Sequence, residues 1–262
     1  VAMLRAGRNL VSGNGYTFQG RPELAHSPLF PLIAGIFWRI TGDLELSGLL
    51  ISALAGAVSI VPLFFLARRL FNEPTAWVSV LIAAVFPPFI YAATEVRLAS
   101  FYQLIFLLTA LALYQNARRP GWRNGLLAGA AAALAYLTRP EGFLFLILAA
   151  LVLFLAPGWK NRPAKIAGSG GWMVIAFVLL SSPYWLFLHR HLGRWSLSAR
   201  SPLTFIPYFS DDWEKANFRA YAEPESVRRQ WDEIGGLPGV IREHGDEMFA
   251  RFLKNIAVIF TA

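Results

Sequence analysis

The sequence predicts an all-α, polytopic integral membrane fold, and three observations lead there. Of its 262 residues, 56% are hydrophobic and only 15% are charged, whereas a soluble domain carries about 25% charged residues. The apolar residues gather into uncharged runs, such as Leu46 to Ala67 and Thr75 to Ala93, close to the roughly 20 residues that a bilayer crossing needs. Lys and Arg stand at the ends of these runs rather than along one polar face. The net charge of +8 therefore reads as a set of topology signals, and no nucleic-acid partner is expected. Cysteine is absent, which excludes disulfides and thiolate metal sites.

The first 45 residues are expected to form a non-spanning segment. Gly13-Asn14-Gly15 breaks any helix, and Pro22, Pro28 and Pro31 punctuate the stretch up to the first long apolar run. Residues 29–41 within it suit an interfacial helix, because Phe30, Phe37, Trp38 and Arg39 belong at headgroup depth. A transmembrane bundle is expected over 46–192, with about six spans near 46–68, 75–95, 98–117, 122–139, 141–157 and 168–190. The fourth and fifth are short and are separated by Arg139-Pro140-Glu141-Gly142, so two full crossings and a re-entrant hairpin both remain open. The small-residue run Ala128 to Ala133 is expected to seat a neighbouring helix.

With six crossings, Arg68-Arg69, Arg118-Arg119 with Arg123, and Lys160, Arg162 and Lys165 all fall on one side, which the positive-inside rule makes cytoplasmic. The turns at 94–97 and 138–141, the N-terminal segment and the tail then share the external face. Residues 193–262 read as an external loop, with Asp211-Asp212 and a helix-like stretch Pro224 to Ile234, leading to a further helix that has begun at Ile256. The N-terminus carries no initiator Met and no signal-peptide pattern, so truncation at both ends is expected. Internal repeats, a Walker sequence and a Rossmann fingerprint are all missing.

Ionisable groups near membrane depth cost about 2.5–3.5 kcal/mol each on insertion scales, so their positions carry functional information. Glu95 and Arg97 flank one expected external turn, and Arg139 and Glu141 the other. They are either interfacial charges that snorkel or pair, or parts of an anion site. His26, in Leu24-Ala25-His26-Ser27-Pro28-Leu29-Phe30-Pro31, precedes the interfacial helix, whose N-terminus attracts phosphate. Its imidazole is either structural or a donor or metal ligand there.

The order of these elements resembles the GT-C glycosyltransferases of the protein O-mannosyltransferase and aminoarabinose transferase type. The likeness runs from a short helix at Ala2 to Leu10, through Gly13-Asn14-Gly15-Tyr16, His26 to Pro31, and Ala67-Arg68-Arg69-Leu70-Phe71, to Thr94-Glu95 and Leu137 to Gly142. It extends to about residue 195, rests on motif order, and is weaker in the tail. The resemblance implies a membrane glycosyltransferase that takes a sugar from a polyprenyl-phosphate donor and passes it to a lipid, glycan or protein acceptor. It further implies the plasma membrane of a bacterium or archaeon, with the site on the external face.

The family's catalytic carboxylate precedes the helix that begins near Ala2, so it is expected upstream of Val1, and the isolated chain is expected to be inactive. His26 matches the segment that approaches the donor phosphate or a metal, with Glu23 as a nearby substitute, and Glu95 matches the site's rim. Arg97 and Arg139 suit a leaving phosphate, since guanidinium stays charged and binds phosphate oxygens bidentately. A divalent metal is an optional cofactor, and His26 its candidate ligand. A transporter is disfavoured because the charges lie in turns rather than inside spans. A non-catalytic scaffold subunit stays open as an alternative.

Overall fold

The computed structural model describes residues 2–155, 163–199 and 224–261, and the chain divides into two compact units, Val1–Leu197 and Ser198–Ala262. The first is all-helical apart from one tiny hairpin. Its helices are α1 (Ala2–Val11), α2 (Leu29–Thr41), α3 (Leu44–Leu70), α4 (Glu73–Val85), α5 (Pro87–Thr94), α6 (Leu98–Arg118), α7 (Trp122–Thr138), α8 (Leu144–Leu155) and α9 (Pro163–Leu192), with β1 (Thr17–Phe18) paired antiparallel to β2 (Arg21–Pro22). Three helices, α3, α6 and α9, are long and apolar enough to cross a membrane unaided.

The expected span over 75–95 is present but broken. Pro87 and Pro88 offer no N–H groups to continue α4, and the chain resumes as α5 at an angle of 55°. Taken as one bent span, this pair makes a fourth crossing among the described residues. α7 has 17 residues, about 26 Å of helix against a hydrocarbon core of about 30 Å. The apolar stretch Pro140–Val152 is shorter still. Both short elements lie where Arg139-Pro140 interrupts the fourth and fifth expected spans, and the end of the fifth, 156–157, lies outside the described residues, as do Lys160 and Arg162.

Local chemistry sets the helix ends. Asp43 caps α3, its carboxylate accepting from the N–H groups of Glu45 and Leu46 at 2.8 and 3.1 Å, and Asn72 caps α4 through the Thr75 N–H at 2.9 Å. Gly42, in the left-handed region, ends α2.

The small-residue run does seat a helix. A Cβ at Gly125 or Gly129 would land on the backbone carbonyl of Ser169 or Met173 of α9, and Ala128, Ala132 and Ala133 are completely buried. This is the close backbone approach that small residues permit between membrane helices. Polar ties supplement it: Thr109 of α6 donates to the Ala131 carbonyl at 3.0 Å, and the Ser169 hydroxyl bonds both Asn116 and the Gly121 carbonyl.

α1 and α2 cross as closely, a Cβ at Gly35 meeting the Gly7 carbonyl and one at Gly7 the Pro31 carbonyl. Phe30 is fully buried and meets Phe101 of α6 edge-on, ring centres 5.6 Å apart. Its position one residue into α2 turns its side chain toward α6.

In the second unit, α10 (Pro224–Ile234) and α11 (Gly236–Thr261) are joined at Gly235, whose φ of 87° suits glycine. The helix expected to begin at Ile256 is thus continuous from Gly236. Val227, Trp231 and Val240 are buried. Asp211-Asp212 lies outside the described residues.

Candidate functional site

The up-and-down course of the helices brings the start of α3, the end of α5, the start of α6 and the end of α7 to one end of the first unit. Gly48 of α3 touches Val96 and Leu4, Ser52 donates to the Arg97 carbonyl at 3.1 Å, and Arg139 lies over the Tyr102 ring. At the opposite end, the Tyr114 hydroxyl bonds the Arg69 carbonyl at 3.0 Å. Glu95, Arg97, Arg139 and Glu141 therefore sit on or beside elements that meet at the first end.

The segment before α2 is built around a buried carboxylate. Gln19 and Gly20, both at positive φ, turn the hairpin, and the Glu23 N–H returns to the Tyr16 carbonyl at 3.0 Å. The Tyr16 hydroxyl donates to the His26 carbonyl at 2.9 Å. These bonds place Glu23 Oε1 where it accepts from the Ala25 N–H at 2.8 Å, the His26 N–H at 3.2 Å and the His26 ring Nδ1 at 3.2 Å. Glu23 is 6% exposed, while the His26 side chain remains 29% exposed. Glu23 and His26 are therefore tied to each other.

Burial pushes the Glu23 carboxyl up, but the hydrogen bond and charge of His26, with the two backbone N–H groups, outweigh this and hold it below the ordinary carboxylate value. A carboxyl depressed on folding stabilises the fold above its unfolded value, about 4.3, and that contribution is lost as pH falls through the lower folded value. Glu23→Gln is therefore expected to cost about 1–2 kcal/mol at neutral pH and to flatten the acid limb. Thermal midpoints of both proteins from pH 3 to 7 check this, the gap between them closing toward acid.

Between α5 and α6, the Arg97 guanidinium is bonded through Nε to Glu95 Oε2. It lies 5.0 Å over the Tyr91 ring and donates to the Tyr91 hydroxyl at 3.3 Å. A hydrogen bond from Tyr91 and the Arg97 guanidinium beside it hold the Glu95 carboxyl below its usual range. Arg97 is already charge-matched, and the pair is open to solvent, where such bridges are worth little.

Arg139 differs. It ends α7 with its N–H on the Ala135 carbonyl at 2.9 Å. Gly142 then folds the chain back so tightly that a Cβ there would strike the Ala135–Tyr136 backbone. The Arg139 side chain lies over Tyr102 at 5.2 Å, and its Nε is buried with no hydrogen-bond partner. Among the described residues no carboxylate pairs with it, and Glu141, two residues on, is exposed to solvent. A buried guanidinium N–H without an acceptor is costly, and an anion is the kind of group that would satisfy it.

A sequence profile supplies the family. The profile described as dolichyl-phosphate-mannose-protein mannosyltransferase matches residues 25–186. The chain belongs to this family. Within the mannosyltransferase-family match lie His26, Glu95, Arg97, Arg139 and Glu141, while Glu23 falls two residues before it. The chain is also 29% identical, over 150 residues, to the undecaprenyl phosphate-α-4-amino-4-deoxy-L-arabinose arabinosyl transferase of Pseudomonas aeruginosa (strain UCBPP-PA14). That alignment covers 55% of this chain and 27% of the relative. No solved structure matches the chain. With its apolar helices, this mannosyltransferase-family chain is an integral membrane protein.

Sequence reasoning passed over the tyrosines that position these charges. Tyr91 and Tyr102 lie one helical turn or more from the charges they hold, and Tyr16 is ten residues from its partner, so no local pattern marked them. As for a metal, among the described residues no three His, Cys, Asp or Glu side chains converge. Glu23 and His26 supply two ligand types, but Oε1 and Nδ1 are bonded to each other. These residues do not make a metal centre by themselves.

Proposed function

We propose that the protein is a membrane glycosyltransferase that takes a sugar from a polyprenyl-phosphate donor, on the outer face of a bacterial or archaeal plasma membrane, and passes it to a lipid, glycan or protein acceptor. The observation that carries this reading is Arg139, a half-buried guanidinium with an unsatisfied Nε and no carboxylate partner among the described residues, at the end where the other candidate residues gather. Breaking the bond between the anomeric carbon and phosphate leaves growing negative charge on the phosphate oxygens. A preorganised donor aimed at that charge lowers the barrier, and a guanidinium does so without moving a proton.

In this reading His26, steadied by Glu23, faces the same phosphate from the mouth of α2. The Glu95–Arg97 pair forms the rim. The base that deprotonates the acceptor is the carboxylate expected ahead of Ala2. The polyprenyl-phosphate donor is supported by family membership and by the name of the Pseudomonas relative. The outer face is supported by Arg68, Arg69, Arg118, Arg119 and Arg123, which cluster on the short connections at the opposite end.

The test is transfer of radiolabelled sugar by the full-length protein in membranes, across a panel of polyprenyl-phosphate-linked sugars. Transfer from at least one donor, with product appearing on the outer face of sealed vesicles, is the expected result. No transfer from any donor, with no binding of polyprenyl phosphate, would put the scaffold or transporter reading ahead.

A further inference from the structure

α1 and α2 carry a surface that the proposed reaction does not use. α1 is amphipathic: Leu4, Ala6 and Gly7 face inward, and Arg5 and Arg8 are exposed. On α2, Arg39 is exposed beside Ile36 and Ile40, which are 47% and 81% exposed and lie one turn apart on the same helix. The two helices are locked to each other. The Arg39 guanidinium donates to the Val11 carbonyl at the end of α1, at 2.6 Å, and Arg8 lies 5.8 Å from the centre of the Trp38 ring. With the glycine crossing at Gly7 and Gly35, this makes a rigid platform rather than a loose arm.

Among the described residues none of its exposed arginines is in an ion pair. From residue 2 to residue 45 the sequence holds Arg5, Arg8, Arg21 and Arg39 against Glu23, Asp43 and Glu45; Glu23 is buried and committed to His26 and its neighbouring N–H groups, and Asp43 is committed to the cap of α3. The platform sits at the end of the bundle where the membrane-length helix α3 begins, since Leu4 touches Gly48. Apolar and cationic groups share one surface in this way when a helix lies at an anionic interface.

We infer that the α1–α2 face docks anionic phospholipid headgroups. The phosphates take Arg5, Arg8 and Arg39, and the acyl-chain boundary takes Ile36, Ile40 and the edge of Trp38. Such contacts are electrostatic and weaken as salt shortens the screening length. A lipid collar of this kind would hold the segment carrying Glu23 and His26 at a fixed depth. The inference stands on these arginines without an ion pair and on the packing of α1 against α2, independently of the sugar-transfer reading.

Electron spin resonance of the full chain in phosphatidylcholine bilayers, with spin-labelled phosphatidylglycerol or phosphatidylcholine as probe, tests it. Wild type is expected to immobilise phosphatidylglycerol selectively. Arg5→Gln/Arg8→Gln/Arg39→Gln is expected to lose that selectivity by about fivefold per charge at low salt. Arg5→Lys/Arg8→Lys/Arg39→Lys keeps the charge without the guanidinium geometry, and is expected to restore most of it. Arg118→Gln/Arg119→Gln, at the opposite end, separates out the other leaflet's share. Undiminished selectivity in the glutamine triple would overturn the inference, as would a lysine triple no better than the glutamine one. Loss of a co-purifying acidic protein with lipid selectivity intact would also overturn it, making the face a protein contact.

Discussion

Arg139→Ala in the full-length protein is expected to lower kcat/KM for sugar transfer by about 10²–10³-fold, the usual cost of removing one preorganised donor to developing negative charge. Arg139→Lys is expected to recover little, since an ammonium cannot present the planar fork of a guanidinium. Arg97→Ala is the informative contrast. Because Glu95 already satisfies Arg97 and both are open to water, its loss is expected to cost less than about tenfold. Initial rates of all three at matched membrane expression decide the matter. A near-normal Arg139→Ala, or an Arg97→Ala equally crippled, would move the phosphate site away from the end of α7.

The largest expected effect on stability lies at the α7–α9 contact. Gly129→Leu places a branched side chain where the Met173 carbonyl and Cα already stand. Backbone cannot yield as a flexible side chain can, so the helices must separate, at a cost of about 3 kcal/mol or more. The expected readout is a drop in Tm on the order of 10 °C, or loss of the monodisperse peak in detergent. Gly168→Leu supplies the control, because nothing lies within 4 Å of a Cβ there, and it should be nearly silent. Equal behaviour of the two variants would mean that α7 and α9 are not held by this crossing.

Much of this architecture is legible in the residues themselves. Leu98 to Arg118 is an uncharged run bounded by arginines, and it is a helix over that range. The alanine and glycine run from 128 to 133, with Gly125 one turn before Gly129, is a packing surface because nothing larger than glycine fits at 125 and 129 against Ser169 and Met173. The break in the second span was equally available, since Pro87 and Pro88 stand in its middle, yet hydropathy is blind to a missing N–H and reads straight through them.

The polar site was legible in its charges and not in its pairing. Composition marks Glu95, Arg97 and Arg139 alike. Only the fold separates an arginine already matched by a carboxylate two residues away from one laid across a tyrosine 37 positions earlier in the chain. Glu23 shows the same limit. A glutamate three residues before a histidine has many ordinary uses, and its role follows from a hairpin of two-residue strands that buries it.

The 55° bend between α4 and α5 marks a hinge point in the first unit. Around Pro87 and Pro88 the helical ladder is already interrupted, so changing the angle there breaks no further backbone bond. α5 buries none of its side chains and α4 only Ala76, and the close contact of α5 with α3 is Ala93 against Gly56. Amide exchange should therefore be fastest, among the apolar helices, from Val85 to Ile90. A swing of α5 about that point would carry Tyr91 and Glu95 with it and would have to lift Ala93 off Gly56 of α3, which makes Gly56 the residue that limits it.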